Sequence, residues 1–293
     1  KLAIPPAWTE VWICALENGH IQATGLDALK RKQYRYHALW TLIRGETKFH
    51  RLYEFGKLLP RLRIQLEKDL QPRGLTLEKV LATVISLMER TYIRIGNSNY
   101  EKLYGSHGLT TLKDKHVSVT GDKIRFSFRG KKGIQHDITL RNRRLAKAVE
   151  QCRVIPGKEL FQYYDEEGSR RPIESGMVND YIKAAMGADF SAKDFRTWAG
   201  TILAARQLAA DANADDAPTL TAAVAAVAAQ LGNTAPVCRK SYIHPAVLEA
   251  FQQPAIGERW LGATRDGDEV AGLEPDEAAL IRFLVAVSAP AAS

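Results

Sequence analysis

The stretch HVSVTGDKIRFSFRGKKGIQHDITL, residues 116–140, changes the period of the chain. Val117 and Val119, then Ile124, Phe126 and Phe128, then Ile134, His136 and Ile138 alternate with polar residues. Alternation of this kind marks half-buried strands, and the turn signals TGD and RGKKG separate three of them, so a three-stranded antiparallel meander is expected. Lys131 falls in the second turn, where its side chain is free to reach outward.

On both sides the pattern is helical. Upstream, LTLEKVLATVISLMERTYIRIGN (75–97) repeats Leu77, Val80, Leu81, Val84, Ile85 and Met88 at three- and four-residue spacing. This predicts a helix with one buried face, stopped at Gly96 and carrying Arg94 in its last turn. The segment QPRG (71–74) before it is the best linker. Further upstream, EVWICAL reads as a strand and ENGH as a turn, while 37–70 reads as helix broken near Gly56 and Pro60. From 141 onward the chain reads as helical. SGMVNDYIKAAMG has a Ser cap and a Gly stop, and SAKDFRTWAG opens with Ser191 and an acid three residues on. The alanine-rich 209–231 is expected to be helix with a break around ADDAP, and the tail SAPAAS to be disordered.

Composition narrows the function classes. The 293 residues are 45% hydrophobic and 25% charged, an ordinary globular balance with room for one large domain or two modest ones. No apolar run reaches a membrane span of about 18 residues, and KLAIPPAWTEVWIC lacks a signal-peptide layout. Cys14, Cys152 and Cys238 are few and far apart, which fits a reducing cytoplasm. Metal and nucleotide motifs are missing, so neither cofactor is expected. The net charge of +8 is unevenly spread: +14 over residues 1–206 and −6 over 207–293. So strong an asymmetry points to a polyanionic partner, nucleic acid first, with the acidic part as a solvated outer face.

Five stretches carry reactive side-chain types: YIRIGN, FRGKKG, AKDFRTWAG, LGNTAPV and CRKSYIHP. Alone, each has an ordinary reading as a helix cap, a soluble turn or a packing tyrosine. Tyr242, however, directly follows a segment holding Arg239 and Lys240, and cations beside a phenol stabilise its anion.

In order and spacing these stretches resemble the type IB DNA topoisomerases of the small poxvirus and bacterial kind. GHIQATGLDALKRKQYRYH (19–37) is similar to that family's DNA-clamping domain, and YGSHGLTTLKDKHV (104–117) to its catalytic domain. The resemblance implies an α+β fold: a small β-rich N-terminal domain, residues 1–72, and a mostly helical catalytic domain of the topoisomerase/tyrosine recombinase fold, residues 75–293, closing as a C-shaped clamp on duplex DNA. Carried across, the catalytic residues are Arg94, Lys131, Arg196 and Tyr242, with Lys193 as an accessory and Asn233 where poxvirus members have histidine. Gln33, Tyr34 and Tyr36, with Arg31, Lys32 and Arg35, match DNA-contacting positions. The implied reaction is relaxation of supercoiled DNA through a 3′-phosphotyrosine, without ATP or metal, by a monomer in the cytoplasm or nucleoid. Asn233 and the N-terminal match together suggest a bacterial source.

The residue types suit that chemistry. Arginine forks bind nonbridging phosphate oxygens and stay charged, and asparagine adds a neutral donor. A phenol of pKa about 10 is mostly protonated at pH 7 and needs cationic help, while an alkoxide leaving group needs an acid such as Lys131. A tyrosine recombinase or integrase shares the nucleophile, but usually shows His-x-x-Arg where this chain has Lys193-Asp-Phe-Arg196. An architectural DNA binder is compatible with the charge alone and leaves the five stretches unexplained.

Overall fold

The computed structural model of the protein describes residues 2–211, 219–265 and 269–288. The ADDAP segment, and SAPAAS apart from Ser288, lie outside the described residues. Two compact units are present, Lys1–Arg51 and Leu52–Ser293.

In the first unit, β1 (Thr9–Ile13), β2 (Ile21–Leu26) and β3 (Lys32–Tyr36) form an antiparallel meander in chain order. The expected ENGH turn is stitched by Gln22, whose amide donates to the carbonyls of Leu16, Glu17 and Gly19. Helix α1 (Ala38–Asp69) begins here and runs on into the second unit. The division therefore falls inside a helix, upstream of the QPRG turn where the sequence pattern puts it. Its cause is a stripe on α1, Leu52, Phe55, Leu59, Leu62 and Leu66, that is buried in the second unit's core together with Leu70. The same stripe explains why the helix is not broken at Gly56 and Pro60: apolar burial on both sides of each residue outweighs weak local propensity.

The second unit is built around α2 (Leu77–Thr91), started by Thr76, whose hydroxyl accepts the Lys79 N–H at 3.3 Å. Every residue from Lys79 to Met88 is buried, so this is a central helix and not the one-faced helix expected from its periodicity. It also ends earlier, with Tyr92 in the left-handed conformation (φ 58°) accepting the role expected of Gly96. A short α3 (Ser98–Tyr104) leads into the predicted meander β4 (Val117–Thr120), β5 (Lys123–Arg129) and β6 (Gln135–Arg141). Ile124, Phe126 and Phe128 are buried on its inner face.

Next come α4 (Arg143–Val154), a small hairpin of β7 (Gln162–Tyr164) and β8 (Arg170–Pro172), and α5 (Ser175–Met186). The hairpin corrects the expectation of unbroken helical structure after residue 141. Ser175 is the first residue of α5 and not its cap; Glu174 holds that position, and Gly187 (φ 70°) stops the helix as expected. Helices α6 (Ala192–Asp211), α7 (Leu220–Gln230), α8 (Ala235–Ser241), α9 (Pro245–Ala250), α10 (Pro254–Arg265) and α11 (Pro275–Ser288) complete the unit. At the start of α6 the Asp194 carboxylate accepts from both the Ser191 N–H (2.8 Å) and its hydroxyl (2.9 Å), the reach-back half of a capping box.

One ion-pair cluster fixes α6 against its neighbours. Arg63 of α1 donates to Glu89 of α2 (2.6 Å) and Glu277 of α11 (2.7 Å), and Glu277 also accepts from Trp198 of α6 at 3.1 Å. Glu277 is thus buried, an exception to the solvated acidic face expected of residues 207–293.

Candidate active site

Five places in the second unit deliver the predicted catalytic side chains: the segment after α2, the β5–β6 turn, α6, and the ends of α7 and α8. Past Tyr92 the chain has left the helix; Ile93 is buried in the core and Arg94 is half-buried. Arg94 therefore stands on the connection between α2 and α3 and not in a helical turn. The segment is held by the loop 107–111: Leu109 N–H donates to the Arg94 carbonyl (2.9 Å) and Thr110 N–H to that of Ile95 (2.7 Å). The same loop donates from His107 N–H to the Arg129 carbonyl at 2.9 Å, tying Arg94 to the hairpin that bears Lys131. Sequence reading singled out 104–117 only as a family likeness and missed this bracing role.

Arg196, on α6, is 6% exposed. Its guanidinium donates to the carbonyls of Tyr92 (2.5 Å) and Leu231 (2.7 Å), which fixes its plane. Helix α7 ends in a Schellman turn with Gly232 at φ 57°: Asn233 N–H donates to Ala228 O (2.9 Å) and Gly232 N–H to Ala229 O (3.1 Å). Asn233 is thereby both a helix-stop residue and a member of the site. Its Oδ1 accepts from Arg94, whose guanidinium also lies 3.4 Å from the Gly232 carbonyl. Asn233 Nδ2 and Arg196 Nε are buried donors without an acceptor among the described residues.

Tyr242 follows α8 directly, and its N–H donates to Cys238 O at 2.9 Å. It lies so close to α6 that a Cβ on Gly200 would stand 2.4 Å from the Tyr242 carbonyl oxygen. Thr201 adds a second brace, its hydroxyl accepting the His244 N–H at 3.1 Å. The Arg196 guanidinium carbon is 5.1 Å from the Tyr242 ring centroid. Burial pushes the phenol up, but the charge and hydrogen bond of Arg196, with the charges of Arg94 and Lys131, outweigh it and leave the pKa below its ordinary value. The cations that act on Tyr242 are therefore from other elements; its sequence neighbours Arg239 and Lys240 are exposed.

Crowding shows on the cations as well. Burial and then Arg196 press Arg94 down to about 10, with Tyr242 opposing. Burial and then Arg94 lower Lys131, again with Tyr242 opposing. Lys131 opens a tight turn whose Gly130 N–H donates to Ile134 O at 2.7 Å. Its surface is exposed, as the sequence pattern predicts, but its ammonium is within the electrostatic reach of Arg94, Tyr242 and Arg196.

Two arginines, a lysine and an asparagine thus converge on one phenol. The family profile described as eukaryotic DNA topoisomerase I, catalytic core, matches residues 39–258. A profile for the bacterial DNA topoisomerase IB N-terminal domain matches residues 1–27. The chain belongs to the type IB DNA topoisomerases. It is 32% identical over 263 residues to DNA topoisomerase 1B of Acanthamoeba polyphaga mimivirus, covering 86% of this chain and 78% of that protein. DNA topoisomerase 1B of vaccinia virus, strain Copenhagen, is 26% identical over 126 residues, 43% of this chain and 40% of that protein.

Other predicted residues of this topoisomerase stand apart from the cluster. Lys193, one turn before Arg196, is exposed and makes no hydrogen bond or ion pair among the described residues. In the first unit, β3 and Arg31 just before it sort the six candidates by their partners. Tyr34 and Tyr36 are exposed and stacked (centroids 6.0 Å apart, 16°), with Lys32 Nζ 5.9 Å from the Tyr34 ring. Arg31 and Gln33 are instead drawn to the Asp27 carboxylate, at 2.6 and 2.9 Å. Arg35 lies over Trp8 (5.7 Å) and donates to Ala3 O at 2.9 Å. Among the described residues no group of three His, Cys, Asp or Glu side chains could hold a metal ion, and no single helix is long and apolar enough to cross a membrane.

Proposed function

We propose that this topoisomerase relaxes supercoiled duplex DNA by cutting one strand through Tyr242 and resealing it. The phenolic oxygen attacks the scissile phosphorus in line. A P–O bond to Tyr242 forms, the P–O5′ bond breaks, and the products are a 3′-phosphotyrosine and a free 5′-hydroxyl. The phenol loses its proton and the leaving oxygen gains one. Arg94 and Arg196 bind the nonbridging oxygens, and Asn233 adds the donor of its Nδ2. Lys131 protonates O5′, and Lys193 assists once DNA draws it in. One phosphoester replaces another, so the ester bond is conserved and resealing needs neither ATP nor metal.

The observation that carries this reading is the convergence on Tyr242 of Arg196, Arg94 and Lys131, with two buried donors left unmatched. An unmatched buried donor costs about 1–3 kcal/mol. Two at one site, beside crowded cations, favour an anionic oxygen ligand there. The stacked Tyr34 and Tyr36 with Lys32 are the DNA-facing row of the first unit, the tyrosines stacking or bonding to the strand and the lysine binding phosphate. In this reading the first unit grips DNA and the second carries the chemistry. The enzyme acts as a monomer.

The test is relaxation of supercoiled plasmid in EDTA without ATP, for the parent and Tyr242→Phe. Relaxation by the parent alone supports the reading. Activity surviving in Tyr242→Phe contradicts the nucleophile, and strand exchange at a paired site without relaxation points to a recombinase.

A further inference from the structure

His136 is missing from the expected site, yet it touches both turns that build it. On β6 it pairs with Phe128 of β5, and the two rings stack with centroids 5.0 Å apart and planes 18° apart. Two glycines close in around the same imidazole. A Cβ on Gly130, the residue before Lys131, would stand 2.6 Å from imidazole Cδ2 and Nε2. A Cβ on Gly232, the residue before Asn233, would stand 2.5 Å from imidazole Cε1. Real Cβ atoms do not approach so closely, so each turn leaves room for the ring by lacking a side chain. The Gly232 carbonyl is also the one that faces the Arg94 guanidinium. Burial, and then Arg94 and Arg196, lower the imidazole pKa below its ordinary value.

We propose that His136 is a positioning residue for the transesterification site: a flat spacer, seated on Phe128, that sets the distance between the Lys131 turn and the Gly232–Asn233 turn. The scissile phosphate has to meet Asn233 and Arg94 on one side while its leaving oxygen meets Lys131 on the other. Without the spacer the two turns are no longer at matched separation, and the acid is the group that loses its place, because a hairpin tip yields more readily than a Schellman turn. This rests on the reading of Tyr242, Arg94, Arg196 and Lys131 given above.

The test is single-turnover cleavage of an oligonucleotide duplex containing a site mapped beforehand from the parent's adducts on plasmid. Each protein is given the ordinary phosphodiester and a bridging 5′-phosphorothiolate. A thiol leaving group has a pKa of about 8.5 and departs without an acid, whereas an alkoxide does not. His136→Ala should cleave the ordinary ester about tenfold to a hundredfold more slowly than the parent, the loss expected for a reacting group displaced by about 1 Å. On the phosphorothiolate the same variant should fall within roughly threefold of the parent, since the acid is no longer needed. His136→Phe, which keeps a flat ring against Phe128, should stay within roughly threefold of the parent on both substrates. Should His136→Ala lose cooperative melting, His136→Gln replaces it with the same expectations. Parent-like cleavage of the ordinary ester by His136→Ala overturns the proposal, as does an equal loss on both substrates. A His136→Phe as slow as His136→Ala would do the same, by showing that a ring nitrogen is used. A parent that forms no adduct on either substrate would overturn the reading of Tyr242 itself, and this proposal with it.

Discussion

At the scale of single residues, Tyr242 is shaped by charges that lie far from it in sequence. Arg196 contributes from α6, Arg94 from the segment after α2, and Lys131 from a hairpin. Since the net effect holds the phenol below its ordinary value, cleavage should rise with pH to a midpoint under about 10, the usual tyrosine value. Arg196→Gln removes both a positive charge and a donor to the phenol, so the midpoint should move up. The same variant should slow single-turnover cleavage on the order of 10²–10³. A pH–rate profile of parent and variant checks both; a midpoint that moves down contradicts the assignment. The Lys131 pKa is lowered too, so the protonated acid is lost as pH rises through that lowered value. A falling limb should appear on the alkaline side and vanish in Lys131→Ala. Asn233 presents its Nδ2 and gives its Oδ1 to Arg94. Asn233→Ala should therefore cost on the order of 10² in cleavage rate, whereas Asn233→His, which retains a donor, should stay within about tenfold.

At the scale of elements, close packing of α6 on the chain around Tyr242 is what places the proposed nucleophile. Gly200→Ala favours helix by about 1 kcal/mol, but its Cβ would meet the Tyr242 carbonyl at 2.4 Å. The variant should lose covalent adduct formation by more than about tenfold while binding duplex DNA as the parent does; measured adduct rates and binding curves separate the two. Much of this scale was legible beforehand. The meander read directly from period-two alternation, because its inner face, Ile124, Phe126 and Phe128, is buried and its outer face is not. What escaped has physical causes. The all-round burial of α2 is invisible to a periodicity that only records where apolar residues fall, since Thr83 and Ser86 are buried too. Thr83 does so by bonding to its own helix, at Lys79 O. The hairpin of β7 and β8 is three residues per strand, too short to show a period. Arg94, Lys131, Asn233 and Tyr242 were recognised through family likeness. Their spatial convergence, and the part of His136, depend on contacts between residues up to 139 positions apart, which no local pattern encodes.

At the scale of the whole molecule, charge is divided as work is. On the proposed function the basic excess of residues 1–206 supplies salt-dependent attraction to DNA, and the acidic residues beyond it include Asp276 and Glu277, which pair with Arg206 and Arg63. Affinity for duplex DNA should fall linearly with log salt concentration. Lys32→Ala should reduce that slope by about 1. Arg35→Ala should leave the slope nearly unchanged, because Arg35 is committed to Trp8 and Ala3. A slope that drops equally in both variants would remove the distinction between the faces of β3.

The central claim is that Tyr242 becomes joined to the 3′ phosphate of the cut strand. It is tested most directly by trapping the adduct on a duplex labelled on one side of the break, digesting with protease, and sequencing the labelled peptide by mass spectrometry. A peptide containing Tyr242 is expected, esterified to the fragment that carries the 5′ label, with the other fragment ending in a 5′-hydroxyl. A label on any other tyrosine, or a link to the 5′ side of the break, would contradict it.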